Sequence, residues 1–143
     1  MTSKKCLTGR DRIAEFALEI QSKVYINIQG DEPTMDSMDI SKIIEAGLQE
    51  PDLIINGRAS IYKKKEYRSR TIPKVIIKSN GDLMYMSISP ILGNKLNEFI
   101  EAKKQICVYS FPINALQFFQ KNSYKSPVEE IEDIKVFRNG LEN

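Results

Sequence analysis

Apolar residues in this chain follow two alternating periods. Val24, Ile26 and Ile28 alternate with Tyr25 and Asn27, the two-residue period of a strand. Gly30 and Pro33 then turn the backbone out of it. Upstream, Ile13, Phe16, Ala17 and Ile20 follow Thr8-Gly9 at i, i+3, i+4, i+7, which predicts a helix. Downstream, Ile40, Ile43, Ile44 and Leu48 predict a second helix opening at Ser37 or Asp39. Residues 52–55 read as a short strand. Residues 74–78 and 83–89 read as two strands joined by Asn80-Gly81-Asp82, a strong hairpin signal. A short helix is expected over 94–102, a strand over 105–111, and a helix from Pro112 or Asn114 through Phe119. The last helix has Ser126 as N-cap, Pro127 at its first position and Glu129 closing a capping box. Ile131, Ile134 and Phe137 form its apolar face, and Gly140 can end it.

Helices and strands in alternation imply an α/β fold with a mainly parallel sheet. The hairpin adds at least one antiparallel pair. The chain has 143 residues, enough for one domain over 1–143. Composition changes this picture little. Apolar residues make up 41% and charged residues 28%, as in an ordinary soluble globular protein. The net charge of +2 does not by itself argue for nucleic acid. Lys63-Lys64-Lys65, with Tyr62, Tyr67, Arg68 and Arg70 around it, reads as a solvated helix face or loop, with a phosphate-facing role as the alternative. Cys6 and Cys107 have no metal-like spacing and read as free thiols of a reducing cytoplasm. No apolar stretch is long enough to span a bilayer, so neither a membrane nor nucleic acid is expected as a partner. Histidine is absent, which removes Ser-His and Cys-His machinery and His-ligated zinc.

The candidate chemistry lies where the first strand ends. Gln29-Gly30-Asp31-Glu32-Pro33 places two carboxylates and an amide at the C-terminal end of a strand, where open α/β sheets keep ligands. Hard oxygen ligands suit Mg²⁺, and Mg²⁺ suits phosphates. A polar turn closing the strand is the competing reading, and these residues alone leave both open.

Longer motifs go further. Residues 8–15, Thr-Gly-Arg-Asp-Arg-Ile-Ala-Glu, resemble the S-G-T-D-R-[IL]-A-E motif of the sugar-activating (CMP-sugar) cytidylyltransferases. Residues 27–33, Asn-Ile-Gln-Gly-Asp-Glu-Pro, resemble their N-[VI]-Q-G-D-E-P motif. Lys74-Val75-Ile76 is similar to their V-K-V-V strand. Residues 85–91 are similar to their Y-F-S-R-S-P-I arm, and 106–111 to their H-I-G-I-Y-A-Y strand. Residues 126–132 resemble their S-P-L-E-x-I-E helix start. The motifs keep the family's order and spacing over nearly the whole chain. Within the family they resemble the enzymes acting on 3-deoxy-manno-octulosonate (Kdo).

The resemblance implies transfer of CMP from CTP to an acidic sugar, releasing pyrophosphate, in lipopolysaccharide or capsule biosynthesis. It implies a Rossmann-like nucleotidyltransferase fold with three α/β/α layers, Mg²⁺ as cofactor, a homodimer and a cytoplasmic location. Carried over by motif, Asp31 is the Mg²⁺ ligand and Gln29 contacts sugar or nucleotide, with Glu32 supporting the loop. Thr8, Gly9, Asp11, Arg12 and Gly30 lie near the nucleotide. Tyr109, Ser87 and Glu129 are candidates for the sugar pocket. Arg12 can fork a carboxylate or pair with Asp11 or Glu15, and Tyr109 can equally be core.

The chain also departs from the family pattern. The glycine- and basic-rich phosphate loop, the family's first strands and the C-terminal D-T-P-E-D segment are not in this sequence. A partial domain with weak or no activity on its own is therefore expected. Ile88 stands where the pattern has arginine, Gln105 where it has histidine, and Cys107 where it has glycine. A non-catalytic nucleotide- or sugar-binding remnant, or a dimerisation remnant, is the alternative function.

Overall fold

The computed structural model describes residues 2, 6, 9–30, 35–91, 93, 98–99 and 101–121, and the backbone of 138–139. Its elements, in chain order, are α1 (Gly9–Glu19), β1 (Val24–Ile28), α2 (Ser37–Gln49), β2 (Ile55–Ile61), α3 (Lys64–Arg68), β3 (Lys74–Ile77), β4 (Leu83–Ser87), β5 (Ala102–Pro112), α4 (Ile113–Lys121) and β6 (Arg138–Asn139). The strands form one six-stranded sheet, ordered β4-β3-β5-β2-β6 with β1 also on β5.

β5 organises the sheet. Both β1 and β2 pair with it antiparallel at Tyr109 and Ser110, so they lie on its two opposite edges. β3 joins β5 farther along, also antiparallel, and β4 completes the hairpin. Among the described residues only β2–β6 is parallel. The mainly parallel sheet expected from alternation is therefore not what the described residues form. β1 and β2 do run parallel to each other across α2, but β5 inserts between them. A period-based reading orients successive strands and cannot see a later strand enter between two earlier ones.

Side chains alternate across a strand, so β5 builds two cores. Tyr109 and Phe111 point to one face and pack with Tyr25, Ala14, Ala17 and Leu116 beneath α1 and α4. Val108 points to the other face and packs with Ile55 and Ile43 beneath α2. Helices thus cover both faces, giving the three layers expected.

Several elements differ from their sequence expectation. α1 buries Ala14 and Ala17, whereas Phe16 and Ile20 are exposed. α2 buries Ile43 and Gly47 and exposes Ile44 and Leu48. In both helices small residues face the sheet, Ala14 and Ala17 in α1 and Gly47 in α2, the last beside the fully buried Ile43. The N-cap of α2 is Asp36, whose carboxylate accepts from Met38 N at 2.9 Å, rather than Ser37 or Asp39. The second strand begins at Ile55 rather than at 52, and carries a bulge between Asn56 and Gly57. Asn56 fills that bulge: its Nδ2 donates to Ile106 O at 2.8 Å and to Val108 O at 2.9 Å. Glu98, Phe99 and Glu101 are not helical, and Ala102 already opens β5. The Asn80-Gly81 hairpin forms as expected, with Gly81 at φ 91°. The helix expected from Ser126 lies outside the described residues except at its end, where Arg138–Asn139 form strand β6 against β2 instead.

Candidate functional site

Helices α1 and α4 cover only part of their sheet face. Register defines the rest. Tyr109 is opposite Asn27, Gln105 opposite Arg58, and Lys103 opposite Ser60. Directly paired residues share a face, so Asn27, Arg58, Ser60, Lys103, Gln105 and Tyr109 belong to the face that bears α1. Beyond the apolar core this face is polar and carries two cations. It adjoins the C-terminal end of β1, where Gln29 N donates to Cys107 O at 3.0 Å. That bond ties the backbone just past β1 to the central strand.

Gly9, at the N-terminal end of α1, also meets this region. A Cβ at Gly9 would lie 3.8 Å from Asn27 Nδ2. The same Asn27 Nδ2 is a buried donor without a hydrogen-bond acceptor in the structure, and such groups call for explanation. Tyr109 is buried, accepts a hydrogen bond from Gln105 Nε2 and stacks on Phe111 with centroids 5.5 Å apart. Tyr109 is therefore part of the core along its ring, with its hydroxyl held by Gln105.

Other candidates lie elsewhere. Ser87 is opposite Lys74, which is opposite Lys104. Alternation along β5 puts Lys104 on the α2 side, so Ser87 faces away from Tyr109. Its Oγ accepts from Ser89 N at 3.0 Å. Arg12 is exposed and donates to Thr2 Oγ1 at 3.0 Å. Glu15, one turn on, accepts from Cys6 Sγ at 2.7 Å. That bond and partial burial push the Cys6 thiol above its ordinary range. Arg12 borders an open apolar groove of about 430 Å³ along β1, with Phe16, Ile20 and Val24. Asp11 is half-buried, and Gly30 is exposed with open space around it. Thr8, Asp31, Glu32 and Glu129 lie outside the described residues. Among the described residues, no group of three or more His, Cys, Asp or Glu side chains could hold a metal ion.

Sequence reasoning missed Arg58, Lys103 and the orphaned amide of Asn27. Alternation along β5 could have paired Lys103 with Gln105 and Tyr109. Arg58 joins them only through a strand pairing distant in sequence, displaced by a bulge that no local pattern announces.

Lys74 is a separate peculiarity. It is fully buried, and its Nζ donates to Ser69 O and, at 2.8 Å, to Ile88 O. Burial lowers its pKa below the ordinary lysine value. The unfolded chain then binds this proton more tightly than the folded one, so its contribution makes stability rise with pH between the folded and the ordinary value. Denaturant midpoints measured from pH 8 upward are expected to lose this rising component in Lys74→Met. An identical pH profile in the variant would count against a buried ammonium.

Residues 1–142 match the family profile described as Cytidylyltransferase. Similar curated proteins are 3-deoxy-manno-octulosonate cytidylyltransferases. The one from Trichlorobacter lovleyi is 37% identical over 158 residues, covering 99% of this chain and 62% of the relative. The one from Escherichia coli is 24% identical over 143 residues, covering 99% and 58%. The chain thus spans about 60% of the length of the curated relatives it matches. Among solved structures, CMP:2-keto-3-deoxy-manno-octonic acid synthetase complexed with CTP aligns at a TM-score of 0.85 with 24% identity, over 97% of this chain and 61% of that one. HddC from Yersinia pseudotuberculosis aligns at 0.60 with 13% identity, over 97% and 55%. At these identities the solved structures establish the fold alone.

Proposed function

We propose, from the premise that this chain belongs to the cytidylyltransferase family, that it binds CTP and an acidic sugar of the Kdo type and transfers CMP to the sugar. In that reaction the anomeric oxygen bonds to the α-phosphorus and the bond to pyrophosphate breaks. The observation that carries the reading is the polar part of the α1 face: Asn27 lies next to the backbone at Gln29, and Gln105, Arg58 and Lys103 follow along the same face of β5 and β2. Two cations on a partly covered sheet suit an anionic ligand, because a low-dielectric wall strengthens each charge. Gln29 and Asn27 offer amides for orienting sugar and nucleotide. Asp31 is the proposed holder of Mg²⁺, with Glu32 supporting the loop. Mg²⁺, when bound, supplies positive charge against the phosphates. The remaining work is positioning and charge stabilisation.

The reading includes a cytoplasmic protein of lipopolysaccharide or capsule biosynthesis, one domain over 1–143, and a homodimer. Edge strand β4, with Met84 and Tyr85 exposed, supports association. No helix among the described residues is long and apolar enough to cross a membrane.

The test follows the backbone amides of Gln29 and Gly30 while CTP, UTP or ATP is added with and without Mg²⁺, then measures pyrophosphate release with Kdo. Shifts that need Mg²⁺ and favour CTP are expected, with release depending on Kdo. Unperturbed Gln29 and Gly30 amides with every nucleotide would refute the site. A second reading, binding without turnover, is favoured by Ile88 where the family pattern has arginine. It predicts the CTP-dependent shifts with no pyrophosphate.

A further inference from the structure

Lysine is rarely fully buried without a charged partner, yet Lys74 has none of its surface exposed. Its two hydrogen-bond partners are backbone carbonyls, of Ser69 and of Ile88. Ser69 follows α3 at its C-cap, and Ile88 is the first residue after β4. The lysine sits on β3 between these two segments, opposite Ser87 on one side and Lys104 on the other. An apolar side chain would fill this place without the desolvation penalty of an ammonium. What the ammonium adds is geometry: one buried cation draws two loop carbonyls toward a single point.

We propose that Lys74 is a positioning residue, a buried clip that ties the exit of β4 at Ile88 to the α3–β3 turn and so fixes the course of residues 88–91. This rests on the proposed function only where it concerns the sugar. Position 88 is where the chain departs from the family's arginine, so the clip sets how the arm approaches an acidic sugar. Ser69 O and Ile88 O lie at the ends of segments that the sheet does not hold. Ser87 is the last paired residue of β4, and beyond it the described contacts to the arm are the Ser89 N to Ser87 Oγ bond and the Lys74 bond.

The experiment is hydrogen exchange on the unaltered chain, Lys74→Met and Lys74→Arg. Hydrogen bonds to a charged group are worth enough that Lys74→Met is expected to speed exchange over 85–91 at least about tenfold. β1 and the Val108–Phe111 part of β5 should be unchanged, and Lys74→Arg should restore part of the protection. Unchanged exchange over 85–91 in Lys74→Met overturns the clip. If Lys74→Met fails to fold, amine labelling of the unaltered chain decides. Lys74 is then expected to react at least about tenfold more slowly than exposed Lys78, as its burial requires, and equal rates overturn the proposal. Kdo binding separates the two claims. Weaker Kdo affinity in Lys74→Met with CTP affinity unchanged supports a role in sugar placement. Faster arm exchange with unchanged Kdo affinity overturns that role. An unaltered chain that binds no Kdo refutes the proposed substrate, while exchange still reports on the clip.

Discussion

Gly47→Ala is expected to destabilise the fold by about 2–3 kcal/mol, the strain of forcing a methyl into a filled core. On an ordinary helix the same change would stabilise by about 1 kcal/mol, because glycine carries excess backbone entropy. Here the sign reverses. An ideal Cβ at Gly47 would lie 2.1 Å from Ser110 Oγ and 2.8 Å from Ser110 Cβ. Ser110 is central on β5 and fully buried, so α2 would have to lift from the sheet and uncover Ile43 against Val108. Ser110→Ala removes the nearer clash but not the one at Cβ, so it should rescue Gly47→Ala only in part. Ser110→Gly should rescue it further. Alone, Ser110→Ala should be close to neutral, since its hydroxyl is buried without a hydrogen-bond partner. Urea midpoints at constant slope measure all four. A Gly47→Ala chain as stable as the original would mean that α2 does not approach β5 this closely.

Asp31→Asn is expected to lower Mg²⁺-dependent CMP transfer about 10²–10³-fold, the usual consequence of losing one charge-stabilising group at a phosphoryl centre. The amide keeps the shape and loses the charge that a hard divalent cation requires. CTP affinity without Mg²⁺ should therefore be alike in both chains, and the gain in affinity on adding Mg²⁺ should vanish in the variant. That ratio is readable even where turnover is too slow to follow. Asp52→Asn, in the exposed turn after α2, is the control and should change neither quantity. Equal Mg²⁺ dependence in Asp31→Asn would remove this residue from the site.

Much of the chain was legible from local pattern. The strand at 24–28, the helices at α1, α2 and α4 and the 80–82 hairpin all follow from periodicity and turn chemistry. The second strand runs on from Ile55 to Ile61, past the expected 52–55, because its later residues are held by pairing with β5 rather than by a local apolar run. In the fold Asn56 and Gly57 flank a bulge, and the Asn56 amide donates to the β5 carbonyls of Ile106 and Val108 there. The apolar stripes on α1 and α2 hold only in part: Ala17 and Ile43 are buried and Ile13 packs on the core, whereas Phe16, Ile20, Ile44 and Leu48 are exposed. Periodicity shows that a helix is amphipathic, but which of its small and large residues face the sheet depends on how closely the two approach.

The sequence by itself determined the identities that can do chemistry: an amide and two carboxylates where β1 ends, no histidine, and motifs in the order of the cytidylyltransferase family. These depend on residue type and spacing along one strand or turn, which are local quantities. Tertiary structure alone decided that β5 lies between β1 and β2, that Arg58 and Lys103 share a face with Asn27 and Tyr109, that Ser87 faces the other way, and that Lys74 is buried between two loops. Each depends on a strand register or a packing distance between residues far apart in the chain, and side-chain period carries no information about either.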